Sequence, residues 1–211
     1  MALSPQALPA LRGGLLALLA AALFGVSTPL VQQFGAGLGA FSTAALLYAG
    51  AAAVGLLSRQ RIEREARLQR SDLPRLLAMA AFGAAIGPVA LAWGLQNTSG
   101  TSASLMLTLE ALFTAVLAWR LYRETMDGRV WTAMALLLAG GMVLVLDQGR
   151  TGGAQLWGLL AVLLATAAWG VDNTLSRALA ERDPGQVVMA KALLGTTATS
   201  ALAVVFGEPL P

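Results

Sequence analysis

Seven separate apolar runs, each near the ~20 residues needed to cross a bilayer, constrain this chain more than any other feature. They lie at about 13–33, 38–57, 76–95, 101–121, 130–146, 155–175 and 187–206. A soluble domain carries about 25% charged residues, whereas this one has 12%, with 57% hydrophobic residues and a mean hydropathy of +0.70. Too little polar material remains to cover a water-facing surface. The expected class is all-α: a polytopic membrane protein of seven transmembrane helices, with the lipid bilayer as its first partner. The first run, preceded by Arg12, is too long for a signal-peptide core and is read as an uncleaved span. Pro29 inside it is expected to kink the helix.

The arginines orient the spans. With the N-terminus in the cytoplasm, the inner side carries Arg12, Arg59, Arg61, Arg64, Arg67, Arg70, Arg75, Arg120, Arg123, Arg129, Arg177 and Arg182. The outer loops carry only Arg150. This positive-inside bias predicts a cytoplasmic N-terminus and a C-terminus outside, in a cell membrane (the inner membrane of a Gram-negative source). The net charge of +3 therefore reports orientation, and no nucleic-acid partner is expected.

Orientation gives meaning to an internal echo. Shifted by 145 residues, Phe24-Gly25-Val26 falls on Trp169-Gly170-Val171, and Ser27-Thr28 falls on Asp172-Asn173. The sixth span thus repeats the first, but five spans separate their starts, so it enters from the opposite side. That is the beginning of an inverted-topology repeat, the plan of many secondary transporters, with the binding site near midplane. The expected organisation is a cytoplasmic lead at 1–12, a five-helix repeat at 13–147, a Gly-rich linker at 148–154 and an incomplete second unit at 155–211. A second unit of equal length would need five helices, and two are present.

Polar residues inside the spans mark the candidate site. Glu110 lies near the middle of the fourth span, where an ionised carboxylate costs roughly 2.5–3.5 kcal/mol. Ser102, Met106 and Thr114 share its helical stripe. Glu110 reads either as a protonatable group on a substrate or proton path or as a fixed interhelical hydrogen bond. Asp172 and Lys191 sit on consecutive antiparallel spans, both in the inner half. They read as a structural ion pair or as an inner gate that breaks during transport. Asn173 is a donor to substrate or to another helix. Ser27 and Thr28 are either cavity partners of Asp172 and Asn173 or hydroxyls bonded back to their own helix. Trp93, Gln96 and Asn97 read as an interfacial anchor with a polar turn, or as an outer vestibule. Gly83-x-x-x-Gly87 permits close helix approach.

The stretch T-S-A-S-L-M-L-T-L-E-A-L-F-T-A-V-L-A-W-R-L-Y-R-E, the first-helix motif G-V-S-T-P-L and the segment W-G-V-D-N-T-L-S-R with Lys191 resemble the EamA-type permeases of the drug/metabolite transporter superfamily. The resemblance covers about 13–207 and matches Glu110 and Arg123-Glu124 to the family's usual positions. Where many members carry proline after the first of these, this chain has Ala111, so no helix break is expected there. The resemblance implies a ten-helix protein of two inverted five-helix units that exports amino acids, metabolites or drugs, of which this chain matches the first seven helices.

With neither His nor Cys, the chain excludes disulfides, His/Cys metal sites and His or Cys catalysis. No G-x-S-x-G or H-E-x-x-H motif is present, and no metal or cofactor is expected. A membrane aspartyl enzyme needs two facing acids, but Glu110 and Asp172 are expected at different depths. A retinal protein would want its lysine mid-helix, not near the inner edge. The function expected is therefore not enzymatic: an alternating-access transporter of small molecules, with proton coupling as one option. The rival is a truncated or partner-dependent fragment of such a permease, in which a homodimer covers exposed faces.

Overall fold

A computed structural model describes residues 7–57, 66–151 and 153–209, with the side chains of 7–10, 12, 148–151 and 154 left aside. Its elements in order are α1 (Ala7–Phe34), α2 (Ala40–Leu57), α3 (Leu73–Met79), α4 (Gly87–Asn97), α5 (Gly100–Leu107), α6 (Glu110–Tyr122), α7 (Gly128–Thr151), α8 (Gly153–Ser176) and α9 (Pro184–Val205). A 3₁₀ turn (Arg70–Asp72), α3, a π-helical turn (Ala80–Ile86) and α4 form one continuous third span. Together α5 and α6 form the fourth. Seven helical stretches are thus long and apolar enough to cross a membrane. One end of the bundle collects the loops that carry Arg67, Arg70, Arg123, Arg129 and Arg182, and is called here the arginine-rich end.

Four boundaries differ from expectation. Residues 7–12, expected as part of a loose lead, already belong to α1; Pro9 sits in its first turn, where no backbone N–H is needed. The third span begins earlier than residue 76, because Pro74 is likewise tolerated in the first turn of α3. The expected linker is helical at its described residues: α7 runs through Thr151 and α8 starts at Gly153, so Gly149 and Gly153 lie in helix, and Gly152 lies outside the described residues. The fourth span, expected to be continuous, breaks. Thr108 and Leu109 turn between α5 and α6, with Leu109 N–H donating to Met106 O at 3.0 Å. No proline is involved; Thr108 turns its hydroxyl onto Leu105 O (2.7 Å), giving the backbone a competing local bond. Pro29, by contrast, lies inside an unbroken α1.

The centre of the bundle is α8. It packs against α4, α5, α6, α7 and the π turn. Leu159, Val162 and Ala165 of α8 are fully buried and meet Leu91 and Leu95 of α4 and Ala103 and Met106 of α5. Small residues set these distances. A side chain at Gly158 would meet the Asn97 backbone at 2.6 Å, and one at Gly94 would meet Val162 at 2.7 Å. The other close pair is α2 with α9. Half of the α8 span is buried, whereas the α1 span is 6% buried and presents Leu15, Leu18, Leu23 and Val26 outward.

Candidate functional site

The site forms where α8 and α9 cross the third and fourth spans. Asp172, on the last third of α8, is buried and paired with Lys191 of α9, itself half-buried. Pairing offsets the large desolvation cost that either charge alone would carry in hydrocarbon. The second carboxylate oxygen of Asp172, Oδ1, is buried without a hydrogen-bond partner among the described residues. The carboxylate lies directly over Gly83, where any side chain would overlap it.

Gly83 sits within the π turn, and its carbonyl accepts from the hydroxyl of Tyr48 on α2 and from Trp169 Nε1 on α8 (3.1 Å). One turn on, Gly87 leaves room for the same indole, whose Nε1 would lie 2.6 Å from an added Cβ. The Gly83-x-x-x-Gly87 step thus admits not a bare helix backbone but two side chains of α8, Trp169 and Asp172. The small-residue spacing signalled Gly83 and Gly87. Nothing in the sequence signalled Tyr48, which arrives from a helix 35 residues away.

Glu110 opens α6, immediately after the break. There Oε1 accepts from Asn173 Nδ2 at 2.6 Å across 63 residues of sequence. Glu110 is half-buried and Asn173 exposed. Because Asn173 is the next residue after Asp172, Glu110 stands within the electrostatic reach of both Asp172 and Lys191. The expectation that the two acids lie at different depths is therefore corrected: the bond to Asn173 places Glu110 next to the Asp172 level. Two carboxylates, one ammonium and one amide form a single cluster. One turn further along α6, Thr114 Oγ1 is buried with no partner among the described residues, beside Gly170 of α8.

Ser27 and Thr28 do not join this cluster through their hydroxyls. Ser27 donates to Phe24 O at 2.7 Å and Thr28 to the same oxygen at 3.5 Å, the local alternative open to such residues in a helix. Phe24 itself packs edge-on against Trp169 with centroids 5.9 Å apart, so the two aromatics aligned by the 145-residue shift meet. Gln96 donates to Leu38 O (3.1 Å) and Asn97 to Trp93 O (2.8 Å), which makes that end a bonded turn. At the arginine-rich end, Tyr122 donates to Thr174 O (2.9 Å) while Arg177 lies 4.6 Å over its ring and pairs with Glu124.

The model of the EamA-like transporter family matches residues 11–146. An uncharacterised transporter of Methanothermobacter thermautotrophicus is 29% identical over 123 residues, 57% of this chain and 36% of the relative. The chain thus spans about a third of the length of the curated relative it matches. No solved structure matches. The family model covers well over half of the chain, including Glu110 and its stripe, so the chain belongs to the EamA-like transporter family.

Proposed function

We propose that this protein carries a small molecule, a metabolite, amino acid or drug-like compound leaving the cell, by alternating access at the Glu110–Asn173–Asp172–Lys191 cluster. The observation that supports this most is the cluster itself. Four polar groups from three spans, two of them charged partners within the membrane-crossing stretches, converge at one level of the bundle. Such groups are expensive in hydrocarbon and are retained chiefly where they face a pathway or each other. In this reading the membrane is the cell membrane, with the arginine-rich end cytoplasmic. Glu110 carries the coupling proton or contacts the substrate. Asn173 holds Glu110 in place. The Asp172–Lys191 pair gates the inner side, opening when substrate or a proton competes for either partner.

Support for the inverted repeat comes from the 145-residue echo in the sequence, and the two proposed mates pack differently. The first span's proposed mate, α8, packs against the third, fourth and fifth spans, whereas α1 meets α4 and α5 lightly and touches α8 through Phe24 and Trp169. The exposure of α1 also favours a second reading, in which the unit works only with further helices lying along α1, such as those of a homodimer. The mass of the detergent-extracted particle separates a lone chain from a dimer.

The transport reading is tested by efflux. Cells overproducing the protein are loaded with a panel of labelled amino acids and lipophilic compounds, and wild type is compared with Glu110→Gln at equal membrane abundance. Glu110→Gln keeps the hydrogen bond to Asn173 but cannot ionise, so it is expected to lower efflux of the transported compound at least about tenfold. Efflux insensitive to Glu110→Gln would remove that residue from the pathway.

A further inference from the structure

The α2/α9 pair carries a tie at each end, and each tie grips the first turn of one of the two helices. Under the 145-residue shift, Ala40–Leu57 falls on residues 185–202, so α2 and α9 are repeat mates packed antiparallel. At the end away from the arginines, the segment leaving α9 turns through Gly207 (φ +68°) and folds over the first turn of α2. Glu208 Oε2 accepts from Ser42 N–H at 2.8 Å, and Ser42 Oγ donates to Pro209 O at 2.8 Å. Phe206 stacks on Phe41, with centroids 5.0 Å apart and planes 10° apart. Gly39 has no side chain where the Glu208 carboxylate rests.

At the arginine-rich end the segment leaving α2 does the same to the first turn of α9. Leu68 N–H donates to Gln186 Oε1 at 3.0 Å. Ala66 exchanges backbone bonds with Glu181 O (3.3 Å) and Asp183 N–H (2.9 Å). Arg182 Nε meets the buried Asp72 Oδ2 at 2.9 Å. Gln186 is the shifted image of Phe41, so the same first-turn position is gripped at both ends.

A gate of an alternating-access cycle must open once in every cycle and break all of its contacts together, which is easier for single side-chain bonds such as Glu110–Asn173 and Asp172–Lys191 than for a tie of several side-chain and backbone contacts. Here both ties are shut in one structure, and each is built from several independent contacts. We propose that α2 and α9 form a clamped brace that stays closed at both ends throughout the working cycle, so that the moving contacts lie along α8, at Glu110–Asn173 and Asp172–Lys191. The inference borrows from the transport reading only the demand that some helices move.

The test needs no substrate. Ser42 is in the first helical turn of α2, where backbone N–H groups have no partner within the helix, so its amide is slow to exchange only while Glu208 caps it. Ala66, Leu68 and Asp183 amides are likewise held only by the inner tie. Hydrogen–deuterium exchange in lipid nanodiscs, repeated from pH 5 to pH 8, is expected to show both sets at least about a hundredfold slower than unprotected amides. Exchange of either set at the unprotected rate, at any of these pH values, overturns the brace. In Glu208→Gln the Ser42 amide is expected to speed up about tenfold as the charge-assisted bond weakens, with the inner set unchanged. If loosening the outer tie instead slows the inner set, the ends alternate and are gates. A transport assay that fails would leave these exchange rates, and so the brace, standing.

Discussion

Asp172→Ala is expected to destabilise the bundle by about 3–5 kcal/mol, the usual result of removing one partner from a buried ion pair. The cost arises less from the lost bond than from what remains. Lys191, 18% exposed at its side chain, would be left charged and unpaired against apolar helix. It must then deprotonate, draw in water or pull α9 toward the arginine-rich end. Thermal unfolding in detergent, with expression level as a second readout, measures the loss. Asp172→Ala combined with Lys191→Met is expected to recover most of it, since no unpaired charge is left in the membrane. A double variant as unstable as the sum of the two single changes would mean that the pair is not coupled, and that the stability of this crossing comes from packing alone.

The second large effect is steric. Gly83→Val places a branched side chain where the Asp172 carboxylate rests and beside the carbonyl that receives Tyr48 and Trp169. Overpacking alone costs about 1–3 kcal/mol. Here the displaced group is one half of a buried ion pair, so the loss is expected at or above the top of that range. Gly140→Ala, on the exposed flank of α7 where an added Cβ meets nothing, is the control. It is expected to be neutral or to stabilise by up to about 1 kcal/mol, through helix propensity. Equal effects of the two substitutions on the unfolding temperature would contradict the placement of α8 against the third span.

The parts of this structure that the sequence made legible are those governed by local chemistry. Hydropathy marks the spans because each must bury its own backbone in lipid. The Asp172–Lys191 pairing is legible because the two residues lie at matching distances from one short turn. Glu110 was singled out by its cost, but its meeting with Asn173 was not foreseen, because it depends on the break at Thr108–Leu109, where no proline or glycine announces a turn. The π turn at Ala80–Ile86 has no sequence signature either; it is selected by what α8 brings against it. The capping of α2 by Glu208 joins residues 166 apart, and such long-range ties follow from the assembled bundle rather than from any local pattern.

The central claim, that the cluster at Asn173 lies on a path opened alternately to the two sides of the membrane, can be met without knowing what is carried. The chain has no cysteine, so Asn173→Cys gives a single thiol at an exposed position beside Glu110. Its reaction with a membrane-impermeant maleimide is measured in sealed vesicles of each orientation. The account predicts labelling from both sides, with a ratio that shifts with pH or with a transported compound. Labelling from one side only, under every condition, would contradict it.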